Sequence, residues 1–142
     1  MTGVEVDLLA AEVMSRLEAA ANPERAAKGA SYTPTGARII GAAVPDVRRA
    51  ARAVVRELKD APPSAVLALA RALIGTDTLE GRHAAYEVLG RHKGVRASLD
   101  APVVESLGRG MDNWASVDAF CLPSRSRRNE TGMRMRCGRS LR

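Results

Sequence analysis

Proline marks the start of four predicted helices, and the positions of these prolines constrain the fold more than any other feature of the chain. The clearest case is NPE at 22–24, where asparagine is a good N-cap, proline suits the first helical position and glutamate favours the positive end of the helix dipole. Similar starts are PD at 45–46, PPS at 62–64 and DAP at 100–102. The chain is therefore predicted to form short helices joined by tight turns.

Apolar residues between these breaks recur with a helical period. In the first segment, about residues 4–21, they form an amphipathic stripe made of Val4, Leu8, Leu9, Val13, Met14 and Leu17. Further helices are predicted from 23 to about 31, 45 to about 59, 65 to 74, 76 to about 92 and 100 to about 108. A last helix begins at Asp112 or Asn113, which gives about seven helices and no strand.

The composition favours an all-α fold. Hydrophobic residues make up 46% of the 142 residues but aromatic residues only 3%, and alanine is abundant. Helices packed through small side chains fit these values better than a β-rich core. Successive helix pairs of about 35 residues favour an α-solenoid slightly over a plain helical bundle.

The net charge of +6 comes entirely from the end of the chain. Residues 122–142 hold seven arginines and one glutamate, whereas the first 121 residues hold 15 basic and 15 acidic side chains. One interpretation is a disordered basic arm that touches nucleic acid. The preferred hypothesis is a reading frame shifted after about residue 121, which makes residues 1–121 the front part of a longer domain and 122–142 a disordered tail unrelated to it.

Several classes of site have no motif in this sequence. Phosphate-binding glycine loops, nucleophile elbows and HExxH zinc motifs are missing. Cys121 and Cys137 lack metal-ligand spacing and are expected to be free thiols. His83 and His92 fall on different faces of one predicted helix, so they are expected to be surface or partly packed residues and no metal site is predicted. The acidic N-terminus and the interrupted apolar runs argue against a signal peptide or a membrane span.

Trp114 and Asp118 are the strongest candidate site residues. Positions i and i+4 share one helix face, so an exposed indole beside a carboxylate would suit a cationic ligand or transition state. The alternative is a core tryptophan with an unrelated surface acid. Arg48, Arg49 and Arg52 on the third predicted helix are either phosphate contacts or solvated charges. Tyr32 is either a binding aromatic or a cover on the loop that follows it.

Three segments together resemble the DNA alkylation repair family of HEAT-like-repeat alkylpurine DNA glycosylases. They are NPERAAKGASY, IIGAAVPDVRRAAR and NWASVD, and their order and spacing match that family over about residues 4–121. The resemblance implies a right-handed α-solenoid of HEAT-like helix pairs, incomplete at its C-terminal end. It also implies a cytoplasmic monomer, on the nucleoid when bound to DNA, that grips double-stranded DNA by its backbone and needs no cofactor.

The same resemblance assigns roles to individual residues. Asp118 matches the catalytic aspartate of the family, Trp114 its partner tryptophan and Tyr32 a tyrosine of the DNA-facing site. The implied reaction is hydrolysis of the N-glycosidic bond of cationic alkylated purines. Nothing after about residue 121 matches the further repeats of related proteins, so weak or absent glycosylase activity is expected from this chain. The competing hypothesis is a non-catalytic helical-repeat module that binds nucleic acid or protein.

Overall fold

The described part of the chain consists of helices joined by short connections. The computed structural model describes residues 1–125, except for the side chains of Val4 and residues 121–125. Within that range the elements are α1 (Gly3–Ala19), α2 (Pro23–Tyr32), α3 (Val44–Glu57), α4 (Pro63–Ile74), α5 (Leu79–Arg91), α6 (Lys93–Ser98), α7 (Ala101–Gly108) and α8 (Trp114–Arg125). A single isolated bridge, between Arg38 and Thr78, is the only β-type pairing there. The all-α prediction is confirmed.

Two helix starts use the side-chain caps that the sequence predicts. The Asn22 side chain accepts a hydrogen bond from the Arg25 backbone N–H, and Pro23 occupies the first turn of α2. Asp100 does the same for α7 by accepting from the Val103 N–H. These contacts satisfy donors that a helix leaves free at its N-terminus, so the starts of α2 and α7 follow from local sequence.

Residues 1–125 form eight helices where the sequence predicts about seven, and the additional helix is α6. A helix of six residues is too short to show an apolar period. Its cap is His92, whose Nδ1 accepts from the Val95 N–H while its other ring nitrogen, Nε2, lies 2.9 Å from the Leu58 carbonyl oxygen. His92 is therefore buried and structural, not a surface or partly packed residue as expected.

The helices form two layers, with α5 at the centre of one of them. Helices α3 and α8 pack on α5 in the same layer. Helix α4 lies in the other layer, where it packs on both α5 and α1. Arg48 of α3 pairs with Glu87, and the residues just before α3 contact Glu80, so α3 and α5 run in the same direction. His83 meets Ser116 and the ring of Tyr86 meets that of Phe120, so α8 runs the same way. This layering is that of an α-solenoid.

Small residues let these helices approach closely. Ala51, Ala70, Ala84 and Ala85 are fully buried. Among the described residues the largest fully buried side chain is that of Tyr86, whose ring packs edge-on to Phe120 with centroids 4.9 Å apart. Within the described residues the core therefore combines buried alanines with valines and leucines, and an aromatic contact lies at the α5–α8 junction.

The connection between α2 and α3 is held by a buried carboxyl group. The Glu80 oxygens accept hydrogen bonds from the backbone N–H groups of Ile40 and Gly41, both at 2.9 Å. Gly41 has φ +87°, and a Cβ there would lie 2.2 Å from the Asn22 carbonyl oxygen, so only glycine fits. These two hydrogen bonds fix the segment 33–43 beside the N-terminus of α5.

No helix within residues 1–125 combines the length and the apolarity that a bilayer crossing requires.

Candidate functional site

Two exposed aromatic residues meet where the end of α2 contacts the start of α8. The Trp114 indole N–H donates a hydrogen bond of 3.1 Å to the Tyr32 carbonyl oxygen. Trp114 is 59% exposed and Tyr32 67% exposed. The indole is therefore outside the core, with its polar edge bound and much of its ring surface open to a partner.

Asp118 lies one turn after Trp114 on the same exposed face of α8. It is exposed, and it makes no hydrogen bond or ion pair with any residue that the structure describes. The opposite face of α8 is buried, since Ser116 is inaccessible and Phe120 packs on Tyr86. Burial of that face orients the helix so that the indole and the unpaired carboxylate point outward together.

Asp112 is a third site residue, which the sequence analysis missed. Its carboxylate accepts hydrogen bonds from the Thr35 hydroxyl at 2.6 Å, the Gly36 N–H at 2.7 Å and the Asn113 amide at 2.9 Å. These donors, that of Thr35 foremost, lower the pKa of Asp112 to about 2. The charged form therefore persists at neutral pH, and its stabilising contribution is lost only as the pH falls through the acidic range toward 2.

The arginines of α3 belong to the same layer but are separated from this cluster by α5. Arg48 pairs with Glu87 at 3.4 Å and Arg49 with Asp46 at 2.8 Å. Arg52 is exposed and has no ion pair within residues 1–125. The structure therefore brings Tyr32 and Trp114 into contact, whereas the three arginines form a separate basic strip on α3.

His83 connects α5 to the buried face of α8. Its Nε2 lies 3.3 Å from the Ser116 hydroxyl oxygen, and burial lowers the pKa of His83. A neutral imidazole is therefore favoured at this contact. Among the described residues no three His, Cys, Asp or Glu side chains are grouped as a metal site would require.

Of the three site residues, Asp112 lines a hollow that includes neither Trp114 nor Asp118. This polar hollow has a volume of about 230 Å³ and also includes Gly36, Arg82 and Ser116. Another lies between α1 and α3, around Arg16 and Arg49. Trp114 and Asp118 line neither of these two hollows, so they are presented on a surface that a large partner can cover.

The fold and the site together define a helical-repeat protein that presents a tryptophan and a carboxylate from one exposed helix face. The family model described as DNA alkylation repair enzyme matches residues 13–127. Because this match covers most of the 142 residues, the chain belongs to that family. Searches of curated proteins and of solved structures gave no match. The match ends six residues after the predicted boundary at 121, and most of the predicted tail lies outside the described residues.

Proposed function

We propose that this protein is a DNA glycosylase that releases cationic alkylated purines from double-stranded DNA, with weak activity in this short chain. The observation that carries the proposal is the exposed pair on α8: Trp114 is held by the Tyr32 carbonyl, and Asp118, one turn later, has no partner among the described residues. Membership of the DNA alkylation repair family supports the general process. The exposed carboxylate supplies a reason for assigning glycosidic cleavage.

The proposed reaction breaks the bond between C1′ of the deoxyribose and the purine nitrogen. The bonding electron pair leaves with the purine and neutralises its positive charge, so the base is a good leaving group without acid catalysis. Positive charge develops on the sugar, and the Asp118 carboxylate stabilises it electrostatically. Water then adds to C1′ as its proton passes to Asp118 or to solvent, leaving an abasic site.

Trp114 is proposed to pack against the sugar of the target nucleotide. An indole held at one edge keeps its orientation while its face remains available, and a covered site excludes bulk water from the developing cation. Many enzymes that act on bases extrude them into a pocket. Trp114 and Asp118 line neither hollow. We therefore propose that this protein acts on the sugar from the backbone side of the DNA instead.

The direct test is base release by the full chain from duplex DNA containing 7-methylguanine. Release is measured by chromatography under single-turnover conditions with protein in excess, so that slow excision is still detected above spontaneous depurination. Cationic 7-methylguanine is expected to be released, whereas unmodified guanine is not, since only the former leaves as a neutral base. Equal release with and without protein would refute the proposed activity.

We also propose that the α3 strip contacts the DNA backbone. Arg52→Gln is expected to weaken duplex binding at every sequence and to reduce the slope of log K against log salt by about 0.9, the value for one lost phosphate contact. The measurement is a fluorescence anisotropy titration over a range of salt concentrations. Arg71→Gln on α4 is the matched control, because Arg71 is an exposed arginine of the other layer. Equal slopes in the two variants would exclude α3 from the interface.

We further propose that the protein is a monomer located in the cytoplasm, and that it lies on the nucleoid when it is bound to DNA. The alternative, a non-catalytic module that binds nucleic acid or protein, predicts duplex binding without base release in the same assays.

A further inference from the structure

The turn before α8 carries a carboxylate whose contacts reach across the chain. Asp112 lies beside the pair Trp114 and Asp118 and bonds to Thr35 and Gly36, residues 77 and 76 positions away in sequence. We propose that Asp112 is a positioning residue that fixes the segment 32–36 against the start of α8, so that the Trp114 indole is oriented before DNA binds. This inference rests on the proposed function only for its effect on catalysis.

The geometry of the carboxylate is that of a clamp between two segments. One oxygen accepts from the Thr35 hydroxyl at 2.6 Å and from the Asn113 amide at 2.9 Å, and the other accepts from the Gly36 N–H at 2.7 Å. Both oxygens are therefore occupied by donors, and hydrogen bonds to a charged acceptor are stronger than neutral ones. The same segment carries the Tyr32 carbonyl that binds the Trp114 indole.

Capping of α8 does not account for these contacts. The Asn113 side chain already accepts from the Ser116 N–H at 2.8 Å, which satisfies the helix start. The preceding turn is held on its other side, where Arg82 donates to the Arg109 carbonyl at 3.0 Å. Asp112 is also exposed, so it adds little to core packing. Its contacts instead serve the junction between segment 32–36 and α8.

A positioning role and a purely electrostatic role of Asp112 predict different changes when the residue is removed. Asp112 is an anion beside a surface proposed to bind DNA, so its removal by charge alone would tighten DNA binding. Loss of positioning instead lowers the rate of the chemical step, since small misplacements of a catalytic surface cost about ten- to a hundredfold. Asp112→Ala is therefore expected to lower kcat in this range while KM stays equal or falls.

The first test uses Trp114 as its own reporter and requires no DNA. The chain has one tryptophan, so its fluorescence has no competing indole. Asp112→Ala is expected to lower the fluorescence anisotropy of Trp114 and increase its quenching by acrylamide. Asp100→Ala is the matched control, because Asp100 caps α7 through a local bond to the Val103 N–H. Asp112→Asn, which keeps one acceptor oxygen, is expected to give intermediate values.

A variant of a residue that donates to Asp112 distinguishes loss of this contact from general unfolding. Thr35→Val removes one donor to Asp112 and is expected to shift the fluorescence in the same direction by less. In the double variant with Asp112→Ala the two shifts are expected not to add, as for residues that act through one contact. Unchanged Trp114 fluorescence in Asp112→Ala, with circular dichroism like that of the parent protein, would overturn the inference. Because these measurements are made without DNA, they are independent of the proposed glycosylase activity.

Discussion

Asp118→Asn is expected to reduce the rate of 7-methylguanine release by about 10²–10³, the loss typical of removing one electrostatic stabiliser of a transition state. Asparagine has nearly the same shape but no charge, so it cannot stabilise the developing sugar cation or take a proton from water. Asp118 is exposed and has no partner within the described residues, so the fold is expected to be unaffected. Removal of one anion should leave duplex affinity equal or slightly higher.

The measurement is the single-turnover rate of base release, with duplex affinity determined on the same preparation. Asp7→Asn provides the control, because Asp7 is an exposed aspartate on α1, a helix that packs mainly on α4. Loss of release with retained binding in Asp118→Asn alone would identify the catalytic carboxylate. Equal rates in the two variants would contradict the catalytic role of Asp118, and binding without release in the parent protein would favour the non-catalytic module.

The parts of the fold that were predictable are those determined by local chemistry. The start of α2 at Pro23 follows from an N-cap and a proline that act within one helical turn. Trp114 and Asp118 share a face of α8 because helical spacing alone requires it. Whether that face is exposed did not follow from the sequence, since it depends on Ser116 and Phe120 packing against α5.

The parts that were missed depend on contacts between distant segments. Asp112 and Glu80 look like ordinary surface acids in the sequence, and only the fold brings them to Gly36 and Ile40 respectively. Neither residue belongs to a motif, and each accepts from at least one backbone N–H group, which every residue except proline carries. Pattern analysis therefore locates helices and helix faces but not the side chains that hold one segment against another.

Glu80 holds the segment before α3 by accepting hydrogen bonds from two of its backbone N–H groups. It is a buried residue whose two oxygens satisfy the N–H groups of Ile40 and Gly41, each at 2.9 Å. Both N–H groups lie in buried residues, so without Glu80 they lose their partners away from water. A buried donor left unsatisfied costs about 1–3 kcal/mol, and the truncated side chain leaves a void as well.

Glu80→Ala is therefore expected to lower the free energy of unfolding by about 2–6 kcal/mol, which is the cost of two orphaned donors. Glu80→Gln should cost less, because its amide oxygen still accepts from one N–H while its NH₂ group opposes the other. Urea unfolding followed by circular dichroism measures both values. Glu105→Ala, which removes an exposed glutamate on α7, is the control and should stay within about 0.5 kcal/mol of the parent protein.

The two carboxyl groups act on the same stretch of chain, one at each end. Glu80 fixes Ile40 and Gly41, while Asp112 fixes Thr35 and Gly36. Release of the first end is therefore expected to loosen the second, so that Glu80→Gln lowers Trp114 anisotropy in the native protein, well below the unfolding transition. Native anisotropy equal to that of the parent protein, together with reduced stability, would show that Glu80 supports the core while the Asp112 clamp alone orients the exposed pair.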